Sequence, residues 1–342
     1  MPAAPVRLIV NPSAGGGKAG RAAPAVERRL SELGLDVRSE RTRDLAHAAA
    51  LALQAARGGE AVVALSGDGM VGVIADALRD VPGAVIGVLP GGRGNDLARV
   101  LGIPDDPLEA CATIADGATR ALDLGEVATI SGTGTQARGR AFVGVASVGF
   151  DSDANRIANA APARLGELVY AYGALRALVA WRPARFELQL DGEDARRSFT
   201  GFSVGAANSR SYGGGMRVAP DALLDDGQLE VMVAEHTSKL RFATQLMPRV
   251  FKGTHVELPT VHVFRAAEVT IRADRPFTVY ADGDPIAELP VVIRALPGAV
   301  RMLVPAEAGP QSPFRGPAAA SAALTPSHPE VPGGGRAGSA AG

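Results

Sequence analysis

The chain has one cysteine, Cys111, and three lysines, Lys18, Lys239 and Lys252. A single thiol excludes a disulfide framework within the chain and points to a reducing cytoplasm. Cys111 lies in the apolar helical stretch PLEACATIAD and reads as core. There is no basic field: the formal net charge is −1, which gives no argument for a nucleic-acid partner. No run approaches the roughly 18 apolar residues that a spanning helix needs. The opening MPAAPVRLIVNP lacks a basic region followed by an apolar core, so no signal peptide is expected. Membrane contact is therefore expected to be peripheral. His47, His236, His255, His262 and His328 are scattered without metal-ligand spacing, and no internal repeat is present.

At 342 residues, with 46% hydrophobic and 21% charged residues, the chain has material for one large or two ordinary soluble domains. Residues 1–122 alternate between two periods. Continuous apolar runs at 7–10, 61–65 and 84–89, with 36–40, read as strands; 19–33, 45–57, 70–79, 95–101 and 108–116 read as helices. This alternation predicts a doubly wound parallel α/β domain, its strands buried on both faces. Beyond Leu122, residues 139–150, 185–205, 228–234, 256–272 and 277–304 read as strands, and only 153–180 and 238–252 as helices. An antiparallel β domain, 123–304, is expected there, with a last strand near 298–304 able to return to the first domain. The Pro-, Ala- and Gly-rich tail, 305–342, is expected to be disordered.

Three predicted strands end in glycine-rich turns: NPSAGGGKAG (11–20), SGDGM (66–70) and LPGGRGNDLAR (89–99). In a doubly wound sheet all three lie at one edge, where ligands bind. Glycine lets the backbone approach a polyphosphate, and a following helix start offers free N–H groups. Gly15, Gly17 and Gly20 match the dinucleotide fingerprint, and Glu40 offers an acid for a ribose, so a Rossmann oxidoreductase stays open. A Walker A loop fails at Pro12 and Ala19. Asp68 sits between Gly67 and Gly69, where it would act on phosphate through Mg²⁺ or water. Asp96 reads equally as a helix cap.

Six segments in order then resemble the diacylglycerol kinase catalytic-domain family of bacterial lipid kinases, related to sphingosine kinases. They are IVNPSAGGGKAG, SGDGM, LPGGRGNDLARVLGIP, SVGFDSDAN, NSRSYGGGMRVAPDALLDDGQLEV and YADGDP, covering roughly residues 6–304. The resemblance implies an ATP- and Mg²⁺-dependent lipid kinase with its nucleotide site between the α/β domain and a C-terminal β-sandwich. It implies that Asn11, Pro12, Ser13, Ala14, Gly15 and Thr42 line the nucleotide site. Gly67, Asp68, Gly69, Met70, Val71, Gly72 and Val73 would wrap the phosphates, with Arg93, Gly94 and Asn95 beside them. Asp68 and Asp96 would belong to the catalytic Mg²⁺ and water network. Asp226, with Leu223 and Gln228, would hold a structural Mg²⁺. Asp284 would be the catalytic base, and Asp282 reads as a turn former before Gly283.

The resemblance also implies a lipid substrate met at the membrane surface, a cytoplasmic protein bound peripherally there, and it admits a homodimer. Helical residues 153–182 read either as core or as a membrane-facing or acyl-pocket wall. Four departures stand out: Met70 for a threonine, Gly72 for an asparagine, Arg93 for a threonine, and Asp284 for a glutamate. They leave open a non-catalytic nucleotide- or lipid-binding member of the family.

Overall fold

Alternating apolar runs and amphipathic stretches build βα units over the first third of the chain. The computed structural model describes residues 5–130, 138–161, 168–306 and 312–316. Strands β1 (Pro5–Val10), β2 (Asp36–Arg41), β3 (Ala61–Ser66) and β4 (Val85–Pro90) pair in parallel in the order β4-β3-β1-β2. β3 is buried at every position, as its unbroken AVVALS run requires, whereas polar β2 (DVRSER) forms the edge. Helices α1 (Ala14–Glu32), α2 (Leu45–Arg57), α3 (Asp68–Leu78), α4 (Asp96–Val100) and α5 (Pro107–Asp116) follow the strands. Cys111 is fully buried in the core beneath them, where burial pushes its thiol up to about 11.

The expected change of style at Leu122 falls inside one long strand, β5 (Ala118–Thr129). In the second lobe come β6 (Arg140–Phe142), β7 (Val145–Gly149), α6 (Phe150–Asn159), α7 (Leu168–Ala180), β8 (Ala184–Leu190), β9 (Arg197–Ala207) and β10 (Leu229–Glu235). Then follow α8 (residues 239–250, with a π-helical turn at Phe242–Leu246), β11 (Val261–Ala266), β12 (Glu268–Ala273), β13 (Thr278–Ala281), β14 (Asp284–Glu288) and β15 (Val291–Val304). The strand region expected over 185–205 holds two strands, β8 and β9, the chain turning between them at Asp191 (φ 47°) and Gly192 (φ 72°). All pairings within this lobe are antiparallel. β15 pairs with β5 along both lobes, and at Arg301 and Met302 it lies parallel to Val85 and Ile86 of β4. The lobes are thus joined through a shared strand pair inside one mixed sheet.

Each lobe has its own core. In the second, Phe202 stacks on Phe242 at 4.0 Å between centroids, and Phe150 meets Phe242 edge-on at 4.8 Å. Each such pair adds about 1 kcal/mol beyond the area it buries, and together they fix α6 and α8 against β9. Part of the tail expected to be disordered is held. Leu224 N–H donates to Pro313 O at 2.8 Å, Arg120 lies 4.2 Å over the Phe314 ring, and Arg315 N–H donates to Asp225. Residues 307–311 and 317–342 of that tail lie outside the described residues. No helix among the described residues is long and apolar enough to cross a membrane.

Candidate active site

The three glycine turns meet because their backbones touch. A Cβ on Gly15 would stand 2.5 Å from Gly91 O, and one on Gly92 would stand 2.5 Å from the Cα of Gly67. Only glycine permits those approaches. In the first turn Gly15, Gly16 and Gly17 take φ of 59°, 66° and 86°, so the regular helix of α1 begins only after them. The turn is therefore a left-handed glycine arch rather than a dinucleotide fingerprint opening a helix.

Asp68 stands at the start of α3, yet its carboxylate serves α4. Its oxygens accept the N–H groups of Asp96 and Leu97, each at 3.0 Å. Asp68 therefore caps the helix that Asp96 was expected to cap. Burial raises the Asp68 pKa, the two amides oppose this, and the Asp96 charge adds to it. No ion pair reaches Asp68 among the described residues, so a carboxylate bonded only to amides is left without a cation.

Asp96 points across to the second lobe. It accepts Gly214 N–H and Gly215 N–H at 2.7 Å each and pairs with Arg99 at 2.7 Å. This clasp holds the Gly213–Gly214–Gly215 turn, whose φ angles are all positive, against the third glycine loop. Asp96 Oδ1 is shared by Gly215 N–H and Arg99, while Oδ2 carries the Gly214 N–H alone.

Opposite the glycine turns stands the β13–β14 hairpin. Asp282, at its tip with φ 50°, accepts the N–H groups of Val143, Gly144 and Val145 at 2.8, 2.9 and 3.3 Å. Burial pushes its carboxyl up to about 6, opposed by those amides. A Cβ on Gly72 would come within 2.9 Å of Asp282 Oδ2, so the glycine that departs from the family asparagine leaves room for this carboxylate. Two residues on, Asp284 differs entirely. Its side chain has no hydrogen bond or ion pair among the described residues, and its Oδ2 lies 3.8 Å from where a Cβ on Gly69 would be.

Between the lobes lies a cleft of about 1030 Å³. Of the expected site residues it is lined by Asn11, Ser13, Ala14, Gly15, Gly67, Asp68, Gly69, Met70, Arg93, Gly94, Asp96 and Asp284. Pro12, Thr42, Val71, Gly72, Val73 and Asn95 stand behind this lining. Thr42 is buried, its N–H donating to Val10 O at 2.8 Å, and Asn95 Oδ1 accepts Gly92 N–H at 2.8 Å. They shape the loops rather than face the cleft.

The Leu223, Asp226 and Gln228 set lies elsewhere, beside the β5–β15 pair. Asp226 Oδ1 accepts Gln228 N–H at 3.0 Å, its other oxygen pairs with Arg265, and Arg315 approaches to 3.6 Å. A cation there would have to displace Arg265, so these residues do not fit the structural Mg²⁺ expected of them. What the sequence reading missed is the far wall. Asp151, Tyr212, Met216, Met247 and Phe251 all line the cleft. Burial pushes Asp151 up to about 6, and Tyr212, hydrogen-bonded to Asp151 and Ser147, is raised well above the usual phenol range. Three of these, Asp151, Tyr212 and Met216, lie in motifs of the resemblance, SVGFDSDAN and NSRSYGGGM, to which no role was given.

A parallel α/β lobe and an antiparallel β lobe thus face one another across a glycine-lined, acid-containing cleft. Residues 5–127 match the diacylglycerol kinase catalytic domain, and residues 144–304 match the YegS C-terminal NAD kinase beta sandwich-like domain. A diacylglycerol kinase of Mycobacterium tuberculosis (strain H37Rv) is 38% identical over 306 residues, 88% of this chain and 95% of the relative. The diacylglycerol kinase of Bacillus subtilis is 26% identical over 311 residues, 89% and 98% of the two chains. The crystal structure of a diacylglycerol kinase from Bacillus anthracis has the same fold, with TM-score 0.68 and 21% identity, covering 90% of this chain and 98% of the other. The chain belongs to the diacylglycerol kinase catalytic-domain family, a family of lipid kinases. That membership removes the Rossmann oxidoreductase alternative.

Proposed function

We propose that the protein transfers the γ-phosphate of ATP to the hydroxyl of diacylglycerol or a similar lipid, with Asp284 as the base and Mg²⁺ required. The observation that carries this is the facing of Asp284, an unpartnered carboxylate on one lobe, to Gly69 of the glycine turn on the other. A nucleophile bound between them would stand between base and phosphate. Asp284 takes the hydroxyl proton as the lipid oxygen bonds to the γ-phosphorus. The bond from that phosphorus to the bridging oxygen breaks, and ADP leaves with the electron pair. For this work the carboxylate needs position above all.

The backbone amides of the three turns and the exposed Arg93 receive the phosphates, Arg93 offering a charge where the family threonine offers a hydroxyl. Asp68, lacking a cationic partner, fits a place near Mg²⁺, which when bound offsets phosphate charge in the transition state. Asp96 acts indirectly by clasping the lobes together.

The test is transfer of labelled γ-phosphate to diacylglycerol in mixed micelles, with and without Mg²⁺, for wild type and Asp68→Asn. Labelled phosphatidic acid that needs the metal and falls at least about tenfold in the variant is expected. ATP binding with no transfer to any lipid of an extract would replace this reading with that of a nucleotide-binding member without turnover.

A further inference from the structure

A second cavity, of about 380 Å³, lies in the second lobe beside α6. Three arginines from three separate elements line it: Arg156 of α6, Arg182 just after α7, and Arg275 of the β12–β13 turn. Two aromatic side chains of its wall carry donors that lack an acceptor. Trp181, 3% exposed, has a buried Nε1–H with no partner, and Tyr280, 6% exposed, has a hydroxyl with none among the described residues. A buried donor left unmade costs about 1–3 kcal/mol, so each calls for an acceptor. Burial pushes the Tyr280 phenol up, and Arg156 opposes this, so the hydroxyl stays protonated and a donor at neutral pH.

Two acids line the cavity as well, and both are engaged. Asp153 pairs with Arg156 at 3.2 Å, and Glu288 Oε1 accepts the Thr278 hydroxyl at 2.6 Å. Arg182 and Arg275 have no acid partner among the described residues. The Arg275 guanidinium is held in place, 5.1 Å over the Trp181 ring and 4.9 Å over that of Phe277, while its Nη2 donates to Arg182 O at 2.6 Å. Two uncompensated guanidinium groups and two orphan donors thus share one small space. A ligand that answers all four is anionic and rich in acceptors, which describes a phosphate monoester. Asp153 Oδ2 and Glu288 Oε2 accept no hydrogen bond among the described residues and suit hydroxyls on the same molecule. The volume falls in the lower part of the range of small-molecule sites.

We propose that this cavity is a second binding site, for a small phosphate monoester bearing hydroxyl groups, and that its occupancy is felt in the cleft. α6 stands between the two spaces: Asp151, Ala154 and Asn155 line the cleft, while Ser152, Asp153 and Arg156 line the cavity. The β13–β14 hairpin spans them too, with Asp282 and Asp284 at its tip in the cleft and Thr278, Tyr280 and Glu288 at its base in the cavity. A ligand joining Arg156 to Tyr280 fastens the hairpin to α6 and so steadies Asp284. The site itself is independent of the lipid-kinase reading, whereas its effect on turnover rests on that reading.

The test uses the full chain and glycerophosphate, read by calorimetry and by melting temperature. Wild type is expected to bind it and to melt higher when it does. Arg182→Gln, at an exposed residue, is expected to weaken binding at least about tenfold, and Tyr280→Phe about fivefold. Neither should change the melting temperature of the free protein, since neither group has a side-chain partner to lose. Arg29→Gln, on the first lobe, is expected to leave binding unchanged. No binding by wild type, or equal binding by wild type and both cavity variants, would overturn the site. So would binding lost only in Arg93→Gln, which would place the ester in the cleft. A second arm uses dihexanoyl phosphatidic acid: tighter binding than glycerophosphate assigns the cavity to a lipid phosphate, weaker binding to a soluble one, and sensitivity to Tyr280→Phe upholds the site in either case. At a concentration that fills the wild-type cavity, glycerophosphate should change phosphate transfer at least about twofold in wild type and not in Arg182→Gln with Tyr280→Phe. Binding with transfer unchanged would uphold the site and overturn its link to the cleft. Binding lost in the cavity variants, with no lipid phosphorylated even by wild type, would uphold the site and count against the kinase reading.

Discussion

The two walls of the cleft are built by opposite means. On the first, glycine turns interlock through their backbones, and the carboxylates of Asp68 and Asp96 are spent on amides. On the second, Asp282 is equally spent on three amides, but Asp284 is free, and the same lobe lines the cleft with Asp151, Tyr212 and the soft side chains Met216, Met247 and Phe251. A rigid backbone wall suits a ligand that is the same in every turnover. A side-chain wall suits an acceptor with a reacting head and a variable apolar body. Asp282 and Asp284, two residues apart, belong to these two modes: one holds the hairpin in place, the other is left available for chemistry.

The sharpest way to break the backbone wall is Gly92→Ala. Its Cβ would meet the Cα of Gly67, which cannot move aside without shifting the second turn. About 3 kcal/mol of stability or distortion is expected, with nucleotide affinity down at least about tenfold by calorimetry. Next comes Asp282→Asn, expected to cost about 2 kcal/mol in chemical denaturation because one of the two oxygens that accept the Val143, Gly144 and Val145 N–H groups becomes an NH₂ donor facing an N–H.

The pH dependence gives that variant a signature. The Asp282 carboxyl titrates near 6 when folded against 3.8 for an ordinary aspartate, so the folded state holds its proton more tightly. Its contribution to stability is complete below about pH 3.8 and is lost as pH rises through about 6. Wild-type stability should carry this loss, shared with Asp151, and Asp282→Asn should show a shallower one. The smallest effect separates the Asp226 site from the cleft. Because Arg265 already neutralises Asp226, chelation is expected to abolish turnover and leave the melting temperature unchanged. Arg265→Ala is expected to cost about 1 kcal/mol, the guanidinium being half exposed.

The backbone wall was legible in the sequence for a physical reason. Strand ends that must turn sharply and approach one another admit only glycine, so SGDGM and LPGGRGN carry their geometry in their composition. The fate of Asp68 was not legible, since the amides it caps belong to α4, 28 and 29 residues away. Asp226 misled for the same reason: an acid in a turn does not reveal that Arg265, 39 residues on, pairs with it. The second wall draws on α6, the Gly213–Gly215 turn, α8 and the β13–β14 hairpin, and no local pattern announces that a methionine or phenylalanine from one will face an aspartate from another. The boundary at Leu122 was hidden because β5 runs through it without a break in period. Residues 312–316 were read as disordered on composition, and tertiary bonds from Arg120, Asp225 and Leu224 override it.

The measurement that tests the central claim most directly sets Asp284→Asn beside Asp282→Asn, reading phosphate transfer to diacylglycerol and melting temperature on the same samples. Asp284→Asn should keep its melting temperature and its ATP affinity while transfer falls by about 10²- to 10⁴-fold. Asp282→Asn should melt lower and keep far more of its activity under conditions where it is folded. Full transfer by Asp284→Asn, or a loss matched by an equal loss of stability, would contradict the assignment of the free carboxylate as the base.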